Sequence, residues 1–568
     1  MDETGDGRRE ISEAGAAEWK TYATDPLPTT RHLPGTPTNH RHHLRSPGFP
    51  SMPATLPPPP LKSPVFRLPS LFLPSLTTPL SLTCAWLCGS VQVSFALLPV
   101  TIRTVAAGLL LALTTVPVDA QVGARTKWDS LARSLFKELV EINTQASNGS
   151  TLLAAQAMAA RLKTYAFPDS DVVVVENAPK KGNLVARLRG RSTGKKPILL
   201  LSHIDVVEAK PEDWTLPPYE FIEREGIFYG RGVADDKDEG AVHLTTLIRL
   251  KSEGFVPDRD IIVALTTDEE GGTANGVEYL LKNRPELLEA EYAFNEGGGG
   301  RVAANGKYVS HDVQASEKKF QMYLFEATNP GGHSSVPLKD NAITELSKAL
   351  VKLGAYDLPV HLNEITRAYF SRLAGTVDKE LGAAMRAVVA NPNDAKAAER
   401  VSMDPRYNSQ LRTTCVATML DGGHAINALP QRARAQVNCR ILPDEDPQQV
   451  RALLEKAIAT DKVKVTMQDQ ARNSPPSPLT KELMGEIERV TSEMWPGIPV
   501  IPTMSTGATD GVYLRSAGVP VYGVSGMFYT ETFSHGMNER IPVKAFYEGL
   551  EFMYRLVKRA SKNTPPIS

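Results

Sequence analysis

The chain has 568 residues, enough for two or three domains with sizeable cores. Its composition, 42% hydrophobic and 22% charged, is ordinary for a soluble globular protein, and a net charge of −1 gives no electrostatic footprint for nucleic acid or an anionic membrane. Four cysteines are too few for a disulfide-built scaffold, and no CxxC zinc pattern occurs.

Residues 1–102 differ from everything after them. The first 65 or so hold the run Pro57 to Pro60, scattered prolines and a basic cluster from Arg41 to Arg45, without apolar periodicity. Such a segment buries too little surface to offset its ordering entropy and is expected to be disordered. Between Arg67 and Arg103 there is no charge, and residues 80–100 are long enough to cross a bilayer, although prolines at 69, 74 and 79 interrupt the apolar character before them. Residues 103–120 then show one positive charge, an apolar core and a small-residue exit at Val118-Asp119-Ala120, the layout of a secretory signal peptide. This layout predicts export after cleavage near Ala120 and a preceding stretch that is an over-extended start. Retention of the apolar segments would instead anchor the chain in a membrane.

From Lys127 the pattern becomes regular. Trp128, Leu131, Leu135, Leu139 and Ile142 recur at helical spacing, and residues 152–162 repeat the pattern. DVVVVE (171–176), NLVARL (183–188) and PILLL (197–201) read as strands, the last as a buried parallel strand. It runs into Ser202-His203-Ile204-Asp205, which puts His203 at a strand's carboxyl end, where open α/β sheets place ligands. Next, GRGVADDKD (230–238) reads as a turn opening a helix, with Asp235 either capping that helix or bridging two cations. The β-branched strand from Ile261 runs into Asp268-Glu269-Glu270 and two glycines. Three acids at a strand end repel one another unless cations neutralise them. Glu296, followed by Gly297 to Gly300, ends another short apolar strand.

After residue 310 the character changes. Strand-like and helical segments over 320–327, 342–353, 412–420, 433–442, 447–460 and 463–467 follow the β-α-β-β-α-β order of a ferredoxin-like α+β unit. Residues 355–410 do not fit this plan and read as an inserted helical segment without a legible role. Cys415 and Cys439 fall on two strands that can form a hairpin and sit opposite each other, and export would permit a disulfide there. Met504-Ser-Thr-Gly507 makes a glycine-containing turn, Asp510 is placed to cap a helix, and His535 in SHGMNER precedes the last helix, 543–562.

His203-x-Asp205, Asp235 in GRGVADDK, Glu269-Glu270 in TDEEGG, Glu296 and His535 resemble, in order and interval, the co-catalytic dizinc metallopeptidase family of glutamate carboxypeptidase, aminoacylase, carnosinase-type dipeptidases and succinyl-diaminopimelate desuccinylase. The resemblance covers roughly residues 125–560. It implies a zinc-exopeptidase-like α/β catalytic domain, with a mixed sheet between helices, formed by residues 121–310 and 470–568. Between the halves, at 311–469, it implies a lid or dimerisation domain, and hence a homodimer. It further implies one zinc on His203, Asp235 and Glu296, and a second on Asp235, Glu270 and His535; cobalt or manganese suits the same donors. Asp205 would orient His203 through its second ring nitrogen, and Glu269 would be the general base. His333 in GGHSS would polarise the scissile carbonyl, frequently from the partner subunit. Arg440 and Asn427 would bind the substrate carboxylate and the oxyanion, and Gly507 lies in the substrate-contacting loop.

The reading is a metal-dependent hydrolase that cleaves a small peptide beside a free α-carboxylate, as a carboxypeptidase or dipeptidase. An N-acyl-amino-acid amidohydrolase is the alternative, and a non-catalytic metal-binding relative is the alternative of another class. N-terminal sequencing of the mature protein is expected to begin at Gln121; a first residue well upstream would overturn the export reading.

Overall fold

The computed structural model describes residues 125–191 and 194–562. The proline-rich, apolar and signal-like segments lie outside the described residues. No described helix is long and apolar enough to cross a membrane.

A mixed sheet of ten strands, counted among the described residues, forms the larger layer. At its centre Ile198–His203 pairs in parallel with Ile261–Thr266 on one side and Tyr292–Asn295 on the other. The first two of these strands are buried at every residue. That is why they read as continuous apolar runs: a strand covered on both faces has no solvent side on which to alternate. Helix Lys237–Ser252 is buried along nearly its whole length and packs against helix Lys127–Glu141 and the C-terminal helix Val543–Ala560. Phe136, Phe221, Phe228 and Phe546 interlock beneath them, with the Phe136 and Phe546 rings stacked 4.7 Å apart.

Strand Tyr308–Glu317 belongs to this large sheet, where it pairs in parallel with Val500–Ser505. The change of sheet therefore falls at Lys318, a few residues later than the sequence pattern suggested. Beyond it, Lys319–Thr328, Thr414–Gly422, Arg432–Ile441 and Val463–Met467 form a four-stranded antiparallel sheet. Helices Ala342–Gly354 and Pro447–Ile458 cover it, so the βαββαβ order is realised. Residues 355–410 fold into four short helices with an apolar cluster of their own, centred on Phe370, Met385 and Val401. The first of them, Glu364–Leu373, packs on strand Val500–Ser505 of the large sheet.

Cys415 and Cys439 are directly opposed on neighbouring strands and are joined as a disulfide across a sequence separation of 24. A closed loop of that length stabilises the folded state by about 3 kcal/mol through lost unfolded-state entropy. Denaturant unfolding with and without reductant should show a loss of that order, and the double variant C415A/C439A should lose all sensitivity to reductant.

Candidate metal centre

The sequence-predicted donors arrive from five separate places. His203 is the last residue of its central strand. Glu269 and Glu270 follow the end of Ile261–Thr266, and Glu296 follows Tyr292–Asn295, so three parallel strands deliver their donors to one edge. Asp235 lies in the turn before helix Lys237–Ser252, and His535 lies in the loop between Phe528–Tyr529 and Arg540–Pro542. His535 itself has a left-handed backbone, with φ of 63°. That conformation is costly away from glycine and persists only where the surroundings enforce it.

The side chains meet. Asp235 presents its two carboxylate oxygens to two different histidines, Oδ1 at 3.1 Å from His203 Nε2 and Oδ2 at 3.1 Å from His535 Nε2. Glu270 Oε2 is 2.9 Å from His535 Nε2, and Glu296 Oε1 is 4.0 Å from His203 Nε2. Ligands of a tetrahedral zinc, each bonded at about 2.1 Å, lie roughly 3.3 Å from one another. The observed separations bracket that value, and the sets His203–Asp235–Glu270 and His203–Glu269–Glu296 each hold their ligand atoms within 4.8 Å. The donors are imidazole and carboxylate only, which suits zinc and equally other first-row divalent ions.

Asp205 acts differently from the expectation. His203 Nδ1 lies 3.1 Å from the backbone carbonyl of Asp205 and 3.8 Å from its carboxylate. The carbonyl therefore takes the Nδ1 proton and leaves Nε2 free to ligate. The carboxylate instead accepts the backbone N–H groups of Glu269 and Glu270, at 3.1 and 3.0 Å. One buried residue thus fixes both the imidazole and the two-glutamate segment. The third acid of that run leaves the cluster, because Asp268 pairs with Lys181 at 2.6 Å.

Electrostatically the centre is overloaded with negative charge. Burial pushes Glu296 and Asp236 well above the usual carboxylate range, and Glu269 up to about 8. Burial would lower His203, but the hydrogen bond to Asp235 and the charges of Glu296 and Asp205 outweigh it and raise the imidazole. Hydrogen bonds to Asp235 and Glu270 push His535 up to about 10. Burial would raise Asp235 too, but its hydrogen bonds to His203 and His535 outweigh it and lower it; the upward shifts of Glu296, Asp236, Glu269 and the two histidines are those a shortage of positive charge demands, and bound cations would remove that shortage.

Other sequence-predicted residues gather elsewhere. His333 is exposed, its Nδ1 2.7 Å from Ser335 Oγ, and it pairs with Ala428 beside Asn427. Ser334 donates to the Asn427 carbonyl at 3.0 Å, so His333 and Asn427 share one surface outside the metal cluster. The Arg440 guanidinium stacks 5.0 Å from the Phe320 ring, half-buried, with no ion-pair partner among the described residues, and burial lowers its pKa. The Gly507 N–H donates to Ser505 Oγ at 3.0 Å.

Two supporting residues were not recognised from sequence. Glu539 is fully buried. It accepts from Arg231 at 2.7 Å, Gly232 N–H at 3.0 Å and Ala234 N–H at 2.8 Å, while Arg231 donates to the Gly536 carbonyl at 3.0 Å. This staple ties the loop that carries His535 to the loop that carries Asp235. Its position four residues after His535 in SHGMNER was the available signal. Asp510, expected as a helix cap, makes no cap hydrogen bond. It accepts from Asn275 at 2.6 Å and Thr266 at 3.1 Å, and burial raises it to about 6.

A parallel-centred α/β sheet with an imidazole–carboxylate cluster at its carboxyl edge defines a metal-dependent hydrolase. Residues 199–559, more than half of the chain, match Peptidase family M20/M25/M40, and the chain belongs to that family. It is 28% identical over 394 residues to human N-fatty-acyl-amino acid synthase/hydrolase PM20D1, covering 67% of this chain and 77% of the human one. It is 28% identical over 367 residues to aminoacylase-1A of Rattus norvegicus, covering 63% and 79%. The fold is similar to that of an M20 family metallo-carboxypeptidase from Sulfolobus solfataricus, with a TM-score of 0.57 and 18% identity over 76% of this chain and 99% of that one.

Glu539→Ala would leave the buried Arg231 charge without its anionic partner and the Gly232 and Ala234 N–H groups without their acceptor. A loss of about 3 kcal/mol in unfolding free energy is expected, together with reduced metal content by elemental analysis; unchanged metal content would show that the staple does not position the ligand loops.

Proposed function

We propose that the protein is a dizinc hydrolase that cleaves the amide bond of a small substrate whose leaving amino acid carries a free α-carboxylate. The observation that carries this reading is the single carboxylate of Asp235 facing His203 with one oxygen and His535 with the other, the arrangement a bridging ligand needs. In this reading His203, Asp235 and Glu296 hold one ion, and Asp235, Glu270 and His535 hold the other. Zinc bound there supplies Lewis acidity to the carbonyl and acidifies water.

The chain's own groups do the rest. Glu269 accepts a proton from the attacking water and returns it to the departing amine nitrogen. Asp205 keeps Glu269 in place through the backbone N–H it accepts. Arg440, a guanidinium without an acidic partner among the described residues, is suited to grip the α-carboxylate with two parallel hydrogen bonds. Gly507 would contact the substrate through its loop.

His333 and Asn427 are joined to each other but not to the cluster of their own chain. Their oxyanion-binding role therefore calls for a homodimer, in which His333 of the partner subunit completes the site. Support comes from the edge strand Thr414–Gly422, which exposes Val416, Met419 and Leu420. An exposed apolar edge of this kind invites pairing. The Cys415–Cys439 disulfide supports export, because such bonds persist in oxidising compartments.

A second reading, N-acyl-amino-acid hydrolysis rather than peptide hydrolysis, is favoured by the aminoacylase and N-fatty-acyl-amino acid hydrolase relatives. Both readings share the same cleaved bond and the same leaving amino acid.

Glu269→Gln should lower kcat by a factor on the order of 10² to 10⁴ while the protein still binds two equivalents of zinc. Activity within a few-fold of the parent would overturn the assignment of the base. Turnover by the zinc-loaded parent protein of neither dipeptides nor N-acyl amino acids would overturn the reaction class.

A further inference from the structure

The chain crosses twice between its two sheets, and both crossings meet at one buried carboxylate that the proposed reaction leaves unused. Glu317 ends strand Tyr308–Glu317 of the large sheet, and Lys318 alone separates it from Lys319–Thr328 of the small one. The return runs from strand Val463–Met467 to helix Lys481–Met494 and carries Ser474, whose Oγ donates to Glu317 Oε1 at 3.1 Å. Both residues are fully buried.

Three further donors fill the carboxylate. Arg515 Nη1 reaches Oε1 at 2.8 Å, and the N–H and hydroxyl of Thr509 reach Oε2 at 3.0 and 3.1 Å. A carboxylate that accepts four hydrogen bonds has no capacity left for a metal or a substrate. Burying the Glu317–Arg515 ion pair offsets most of its Coulombic gain, so its effect lies in the geometry it fixes. Here that geometry is a loop.

Residues 505–510 form the turn around Gly507. On one side the Lys318 N–H donates to the Ser505 carbonyl at 2.9 Å, and on the other Glu317 holds Thr509. Ser505 and Thr506 line a cavity of about 530 Å³ together with Asp235 and Glu296 of the metal centre, and Tyr369 and Gln410 of the helical segment form part of its wall. The Lys318 side chain, also fully buried, reaches toward the small sheet. Its Nζ donates to the Arg412 carbonyl at 2.7 Å and to Thr414 Oγ1 at 3.4 Å. Thr414, Arg440 and Phe320 are directly opposed on three neighbouring strands, so their side chains share one face. Two consecutive residues thus grip the Gly507 loop of the large sheet and the strands that carry Arg440 on the small one.

We propose that Glu317 and Lys318 are positioning residues for substrate binding, which fix the Gly507 loop and Arg440 relative to each other so that both meet one substrate at its α-carboxylate end. The inference rests on the hydrolase reading above, in which Arg440 grips that carboxylate, and adds the residues that hold the two elements in register.

Zinc-loaded parent and variants are assayed with alanyl-alanine against its C-terminal amide, and with acetyl-alanine against its amide. In the parent the free acid should exceed the amide in kcat/KM by about tenfold or more. That ratio is the readout, because an unfolded fraction lowers both rates alike and leaves it unchanged. Lys318→Met removes the bond to Thr414, and Thr509→Val removes a hydroxyl from Glu317. In each the ratio should fall by about three- to tenfold, mainly through a higher KM for the free acid. Thr509→Ser keeps the hydroxyl and should keep the parental ratio. Parental ratios in both Lys318→Met and Thr509→Val would overturn the proposal. A parent that hydrolyses acid and amide equally, or neither, counts against the hydrolase reading and its Arg440 grip. Amide hydrogen exchange then decides whether the two residues position these elements. Exchange should rise over 505–510 in Thr509→Val and over 412–416 in Lys318→Met, while the central strand 198–203 stays as in the parent; parental exchange in both segments overturns the proposal.

Discussion

The structure is governed by an electrostatic debt at the carboxyl edge of its central strands. Asp235, Asp236, Glu269, Glu270 and Glu296 crowd around two imidazoles in a largely buried site. Without cations, burial drives Glu296, Asp236 and Glu269 toward their protonated forms and the acids drive the histidines toward their charged ones. A fold keeps such an arrangement only where ions balance it, so the metal requirement is written in the packing as much as in the donor types.

Holding those acids together takes more than the sheet. Three donor segments come from parallel strands, whose ends the hydrogen-bond ladder aligns, but Asp235 and His535 ride on loops separated by some three hundred residues. The Arg231–Glu539 pair bridges the loops, and its two charges are satisfied by each other and by three backbone groups. Both carboxylate oxygens of Glu539 and two of the three guanidinium nitrogens of Arg231 find partners, while Arg231 Nε is left without one, so the gain lies in fixing one geometry. Asp205 does the corresponding work on the strand side by holding the Glu269–Glu270 backbone.

Legibility followed physical locality. The strands at 198–203 and 261–266 were readable because full burial writes a continuous apolar run, and the βαββαβ order was readable from alternating periodicities. The donors other than His535 stood out because each sits one to four residues past such a run or inside a glycine-rich turn. What escaped were roles fixed by tertiary partners. Asp510 looked like a helix cap, because nothing local shows that Thr266 and Asn275 will claim its oxygens. The Asp205 carboxylate looked like a partner of the His203 ring, because a sequence cannot tell a side-chain acceptor from the backbone carbonyl of the same residue. The helices of 355–410 were legible as helices, but their packing on strand Val500–Ser505, and hence their place at the cavity, depended on a contact across more than a hundred residues.

That contact bears on how one catalytic edge can serve different amides. In the proposed reaction the metal cluster and Glu269 act on the bond being cut and are indifferent to what hangs from its acyl side. Discrimination there must come from groups that meet the acyl substituent, and a site rejects the wrong one most strongly when buried polar atoms are left unpaired by it. The cavity beside the metal centre is lined by Asp238 and Glu239 of helix Lys237–Ser252 and by Tyr369 and Gln410 of the helical segment. With the first on the helix that follows Asp235 and the second on an insertion with helices of its own, the wall of the cavity can change while the chemistry of the edge stays the same.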